Sequence, residues 1–187
     1  PGVWGFTWPV ASSIPAPDES QQRMASDWCG RIGERIWEDL PPNQIINEAS
    51  TRNAVTVAMA PGCSTNAIIH LIAMARRASV NLTLDQLDDI GRTTPVIANI
   101  RPSGKNYLME DFFYAGGLRA LMVELGDKLD LSAKTVTGKT LGECLKGSEN
   151  RNTELYRPHD KPVYHGGCLA VLKGHMAPHG DGITADA

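Results

Sequence analysis

The sequence predicts a layered α/β domain followed by the start of a second, β-rich domain, and three observations carry that reading. Apolar residues recur at three- and four-residue spacing through several segments up to Leu125, as on amphipathic helices. Two short apolar runs, Val96–Ile100 and Cys168–Leu172, are bounded by proline or glycine in the manner of buried strands. From Ser148 to Lys161 the chain turns polar and loses its periodicity, which suits a linker or surface excursion. Alternating helices and strands favour α/β layers. Residues 1–147 are therefore read as a partial N-terminal α/β domain, and 148–187 as a linker with the first strand of a β-rich domain.

Taken in order, Pro1–Pro17 holds four prolines around Trp4, Phe6 and Trp8, so it should be irregular, with aromatics that need cover. Between Asp18 and Asp39, Met24, Trp28, Ile32, Ile36 and Trp37 form one apolar stripe of a helix that Pro41-Pro42 ends. A second helix is expected over Asn43–Met59, with Ile45, Ile46, Ala49, Val55 and Ala58 inward. A third starts after Pro61-Gly62 and, being apolar over most of its circumference, should be deeply buried. Thr83-Leu-Asp-Gln86 has the form of a capping box, opening a short helix that Gly91 closes. Further helices are expected over Leu108–Tyr114 and Leu118–Leu125. After the strand Cys168–Leu172 no final element is evident. A chain that starts at Pro1 and stops after an isolated strand reads as an internal portion of a longer protein.

Composition narrows the classes of function. The 187 residues suffice for one domain, or for one and the start of another. With 18 Lys and Arg against 21 Asp and Glu there is no basic excess of the kind nucleic-acid surfaces need. The apolar run Ala67–Ala75 is broken by His70 and is too short to span a membrane. Cys29, Cys63, Cys144 and Cys168 are scattered without a Cys-x-x-Cys pair and are expected to fill small buried slots rather than form disulfides or bind metal.

The sharpest candidate site is Pro61-Gly-Cys-Ser-Thr-Asn66. Gly62 permits an unusual backbone angle, Ser64, Thr65 and Asn66 offer side-chain oxygens, and the N–H groups of a helix start favour an anion. A carboxylate or phosphate would suit it, and a plain helix cap is the competing reading. His70, one turn on, is either a donor or base for the same site or a satisfied core histidine. Arg101-Pro-Ser-Gly104 after a strand is a second candidate. Gly116-Gly117 and Gly166-Gly167 read as turns, and Asp88-Asp89 and Glu110-Asp111 point too far apart on helices to pair as acid and base. His159 and His165 lack metal spacing, and His175 and His179 flank Pro178, which breaks a helical zinc pair.

Four ordered stretches resemble the dihydroxy-acid, sugar-acid (aldonate) and 6-phosphogluconate dehydratase family. They are Pro61-Gly-Cys-Ser-Thr-Asn-Ala-Ile-Ile-His-Leu-Ile-Ala-Met-Ala75; Pro102-Ser-Gly104 with Leu108-Met-Glu-Asp-Phe-Phe-Tyr-Ala-Gly-Gly117; Thr135-Val-Thr-Gly-Lys-Thr140; and Gly166-Gly-Cys-Leu-Ala-Val-Leu-Lys-Gly174 running to Ala177-Pro178. Phe112-Phe-Tyr-Ala-Gly-Gly-Leu118 is more similar to the aldonate branch than to the branched-chain amino-acid branch. Cys63 departs from the family's usual Gly, and His175-Met176 from its usual Asn-Leu.

The resemblance implies a hydro-lyase that turns a 2,3-dihydroxy acid, here an aldonic acid such as arabinonate or xylonate, into a 2-keto-3-deoxy acid. Dihydroxy-acid dehydration in branched-chain amino-acid biosynthesis is the first alternative, and a non-catalytic carboxylate-binding α/β module the second. It also implies an iron–sulfur cluster and Mg²⁺, a β-barrel-like second domain, a homo-oligomer, and a cytoplasmic setting, or a mitochondrial one in a eukaryote. No cysteine here matches a cluster-ligand position, and the metal carboxylates and serine base lie outside the matched region. This chain is thus expected to hold neither group and to be inactive alone, with Ser64, Thr65, Asn66 and His70 as substrate-binding residues.

Overall fold

The computed structural model describes residues 2–5, 7, 11–175 and 177–184. Phe6, Trp8 and Met176 of the sequence reading lie outside them. Eight α-helices are described: α1 Ser20–Trp37, α2 Pro42–Ile45, α3 Glu48–Met59, α4 Thr65–Arg77, α5 Leu84–Thr93, α6 Met109–Tyr114, α7 Gly117–Leu125 and α8 Leu141–Leu145. An antiparallel hairpin, β1 Leu169–Gly174 with β2 Ala177–Thr184, follows. The architecture is mixed and helix-rich. Its sheet among the described residues is this hairpin, so the alternating α/β layering expected from the sequence is not what is seen.

α3 is the centre of the molecule. Small residues at Ala49, Ser50, Thr51, Asn53, Ala54 and Thr56 let neighbours approach from most directions, and of its side chains only Glu48 and Arg52 are exposed. Its start differs from expectation. Asn47 is extended and accepts from the Ser50 N–H, while Ser50 Oγ accepts from the Asn47 N–H, so a capping box splits the expected single helix into α2 and α3. Asn53 then exchanges two 2.8 Å hydrogen bonds with the Asp130 backbone. Trp4, which needed cover, is buried and donates from Nε1 to Thr51 Oγ1 at 3.0 Å.

Two apolar clusters flank α3. One joins Val57, Ile97, Phe112, Leu121, Leu125, Leu155 and Tyr156; the other joins Val55, Met59, Leu71, Leu87, Val96 and Leu169. Val96–Ile100 is buried and extended, yet it makes only isolated bridges, to Tyr164, Tyr156 and Tyr107. Loops satisfy its backbone: Ile97 N–H donates to Ala60 O, Asn99 N–H to Leu155 O, and Arg157 N–H to Ile97 O. A strand-like composition here finds loop partners instead of a sheet.

Other expectations are also corrected. The polar segment Ser148–Lys161 is no mere surface excursion, because Leu155 and Tyr156 are fully buried and the single Tyr156 O–H is shared between the carbonyls of Phe112 (2.7 Å) and Gly117 (2.9 Å). α4 buries only Ile68, Leu71 and Ala75, and Ile69 is 64% exposed. The stripe of α1 divides: Met24 and Trp28 are half-buried, whereas Ile32, Ile36 (74%) and Trp37 (90%) are exposed, and its one buried side chain is Arg31. The capping box at Thr83 and Gln86 forms, but α5 runs past Gly91 to Thr93. β2 is a final element that Pro178, Gly180 and Gly182 concealed from pattern reading. β1 is buried at Leu169 and exposed at Leu172, and it docks on α5 through Val171 N–H to Asp88 Oδ1 (3.1 Å) and the Lys173–Asp85 ion pair.

Candidate functional site

Two segments flagged separately in the sequence meet in the structure. Gly62 has φ +83°, and a Cβ there would lie 1.9 Å from Ser103 Oγ, so only glycine lets the loop before α4 seat against the Arg101–Gly104 loop. Ser103 Oγ donates to the Gly62 carbonyl at 3.3 Å. The second loop is held from beneath by Asn99, whose Oδ1 accepts from the Lys105 N–H at 2.9 Å, and by Arg101 Nε donating to the Lys105 carbonyl. Arg101 and Lys105 are exposed beside this junction.

Ser64 is the N-cap of α4, extended at φ −83° and ψ 159°, and its side chain makes no capping hydrogen bond. Ser64, Thr65 and Asn66 are all exposed. These three side chains therefore stand exposed at the helix start, where the Ala67 N–H is already bonded to the Ser64 carbonyl, with two cationic residues carried on the adjoining loop. Such a set is suited to an anionic oxygen, and a carboxylate is the simplest group that would use it. His70 is exposed on the same helix rather than buried, which removes the core-histidine reading.

The third segment at this junction was not legible in the sequence. Cys168, at the entry to β1, receives the Cys63 N–H on its sulfur at 3.2 Å, and the two Sγ atoms lie 3.8 Å apart. Hydrogen bonding from Cys63 outweighs burial and holds the Cys168 thiol down to about 7, while the same contact and burial push Cys63 up. The pair is 105 residues apart, so no spacing rule could find it. Close approach of the Gly167 backbone to the end of α5 goes with it: a Cβ there would sit 2.2 Å from the Gly91 carbonyl oxygen. Cys29 is exposed, against the expectation of a buried slot, and Cys144 is half-buried near Thr135 and Thr137.

The remaining candidates stay apart. His159, His165 and His175 are exposed, and of His179 only the backbone is described. Gly116 lies in the turn between α6 and α7 as the N-cap of α7, and Gly117 is that helix's first residue. Among the described residues no group of three or more His, Cys, Asp or Glu is gathered closely enough to hold a metal ion, so the described donors do not fit a cluster or a Mg²⁺ site. No described helix is long and apolar enough to cross a membrane.

The match to known proteins covers this junction. Residues 2–144 match the family model described as the N-terminal region of dihydroxy-acid/6-phosphogluconate dehydratases. The chain is 44% identical over 186 residues to a 6-deoxy-6-sulfo-D-gluconate dehydratase of Pseudomonas putida, covering 98% of this chain and 32% of that protein. It is 40% identical over 171 residues to an L-arabinonate dehydratase of Rhizobium leguminosarum (90% of this chain, 29% of the relative). A dihydroxy-acid dehydratase of Clostridium botulinum is 39% identical over 180 residues (95% and 32%). The chain thus spans about a third of the length of these curated relatives. With three quarters of its length matched to the family's own domain model, the chain belongs to the dihydroxy-acid/6-phosphogluconate dehydratase family.

Proposed function

We propose that this chain is part of a hydro-lyase that removes water from a 2,3-dihydroxy acid to give a 2-keto-3-deoxy acid, and that its contribution is to seat the substrate. The observation that carries the reading is the uncapped, exposed start of α4 clamped against the Ser103 loop. Ser64, Thr65 and Asn66 at the start of α4 receive the carboxylate, and His70 lies one turn on to donate to a substrate hydroxyl. This orients the acid, while proton removal and loss of hydroxide fall to groups outside these residues. An iron–sulfur cluster and Mg²⁺ belong to the same proposal, supplying Lewis acidity toward the leaving hydroxyl when bound.

The substrate in this reading is an aldonic acid, favoured by the Phe112–Leu118 wording and by relatives named for arabinonate and sulfogluconate. Dihydroxy-acid dehydration is a second reading, favoured by several relatives of that name at 39% identity. The division near residue 148 is retained as part of the proposal, supported by the family model's end at 144. We place a homo-oligomeric enzyme in the cytoplasm on the same footing. The test is 2-keto acid formation by the full-length protein on a panel of arabinonate, xylonate, 6-phosphogluconate and a branched dihydroxy acid. Turnover of the sugar acids is expected; turnover of the branched acid alone overturns the aldonate assignment, and none at all overturns the reading. The 187-residue chain by itself should form no keto acid.

A further inference from the structure

Behind the α4 junction three sulfur atoms converge from three separate segments. Met59 Sδ comes from the last turn of α3, Cys63 Sγ from the loop before α4, and Cys168 Sγ from the entry to β1. Cys63 and Cys168 are 3.8 Å apart, Cys63 and Met59 3.8 Å, and Cys168 and Met59 3.7 Å. In a triangle of those sides the point equidistant from all three sulfurs lies about 2.2 Å from each, close to the ~2.3 Å of a metal–thiolate bond. No sulfur needs to move for a cation to sit there.

We propose that Met59, Cys63 and Cys168 form a trigonal all-sulfur site for a soft monovalent cation, Cu(I). Two thiolates and a thioether are soft donors of the kind that Cu(I), zinc and iron–sulfur clusters take, and a set of only three such donors suits Cu(I). Structural zinc takes four nitrogen, oxygen or sulfur ligands in a tetrahedron, and the described residues gather no such set. The Cys63 N–H on Cys168 Sγ orients that sulfur from outside the triangle, as an outer-shell hydrogen bond does. Entry is past Cys63, which is half-buried, whereas Met59 and Cys168 are buried. Binding releases the thiol protons to solvent and changes no oxidation state. The site is built from Met59, Cys63 and Cys168 alone and does not depend on the proposed dehydratase activity.

The test is anaerobic titration of the 187-residue chain with Cu(I) against bicinchoninate as competitor, in a Cys29→Ser/Cys144→Ser background that leaves only the two site thiols. One Cu(I) per chain is expected, with X-ray absorption showing three sulfur neighbours at about 2.2–2.3 Å and a raised melting temperature. Met59→Leu conserves volume, so it should keep the fold by circular dichroism, drop the sulfur shell from three to two and weaken binding at least about tenfold. Copper bound equally well after Cys63→Ser/Cys168→Ser overturns the site, as does a sulfur shell that Met59→Leu leaves unchanged, or formation of a Cys63–Cys168 disulfide in place of a complex.

Discussion

α1 and α3 are both regular helices with apolar residues at helical spacing, yet one is surface and the other is core. α3 is enclosed and held by neutral contacts: the Asn47–Ser50 box, the Asn53–Asp130 exchange and the Trp4–Thr51 hydrogen bond. α1 turns Ile32, Ile36 and Trp37 outward, leaves Met24 and Trp28 half-buried, and has the cation Arg31 as its one buried side chain. Arg31 donates from Nε to the Val136 carbonyl at 3.0 Å and pairs with Glu34 and Glu38, whose contacts raise its own pKa further. Periodicity therefore reports that a helix forms, and the partners decide which face is buried. α1 is the longer helix with the cleaner stripe, and α3, made largely of small and hydroxylated residues, is the one around which the molecule packs.

The comparison breaks most visibly at Trp4. Trp4→Ala removes a fully buried indole beside α3 and should cost about 3–5 kcal/mol, read as a large fall in melting temperature of the whole molecule. A loss confined to one segment would mean that α3 is not the common core.

That outcome also bears on what was legible in the sequence. The helices after Thr83 and Leu118, the buried character of Val96–Ile100, and both halves of the α4 junction could be read locally, because caps, prolines and glycines act over a few residues. The contact between Gly62 and Ser103 could not, since it depends on how Val96–Ile100 is threaded through the fold. Tyr156 was hidden in a polar segment whose asparagines serve as turn-forming hydrogen-bond partners, as Asn150 and Asn152 do for the Asn152, Glu154 and Leu155 amides. β2 was hidden by its own glycines and proline.

Arg31→Ala should act on α1 alone. It leaves the Val136 carbonyl without the guanidinium and costs about 1–3 kcal/mol, seen as faster amide exchange within Ser20–Trp37 while α3 stays protected. A global unfolding transition would place α1 in the core after all.

Acid should separate the two helices in the same sense. The Arg31 hydrogen bond holds the Glu38 carboxyl below the usual glutamate range. Its folded value lies below its unfolded value, so its contribution is complete above the ordinary value of about 4.3 and is lost as the pH falls through the depressed one. Amide exchange followed downward from pH 5 should show α1 released before α3, and simultaneous release would contradict the ion-pair account.

The smallest effect is expected at Trp37→Ser. The side chain is 90% exposed, so stability should stay within about 0.5 kcal/mol while solubility rises as apolar surface is removed. A clear destabilisation would show that the outward stripe of α1 already has cover.

The central claim, that the start of α4 receives the substrate carboxylate, is tested most directly by the KM of the full-length enzyme for its best sugar acid after Asn66→Ala, measured beside the melting temperature. Asn66 is exposed, so the melting temperature should hold while KM rises about tenfold, as loss of one hydrogen bond to a charged group predicts. An unchanged KM with activity intact would contradict the account.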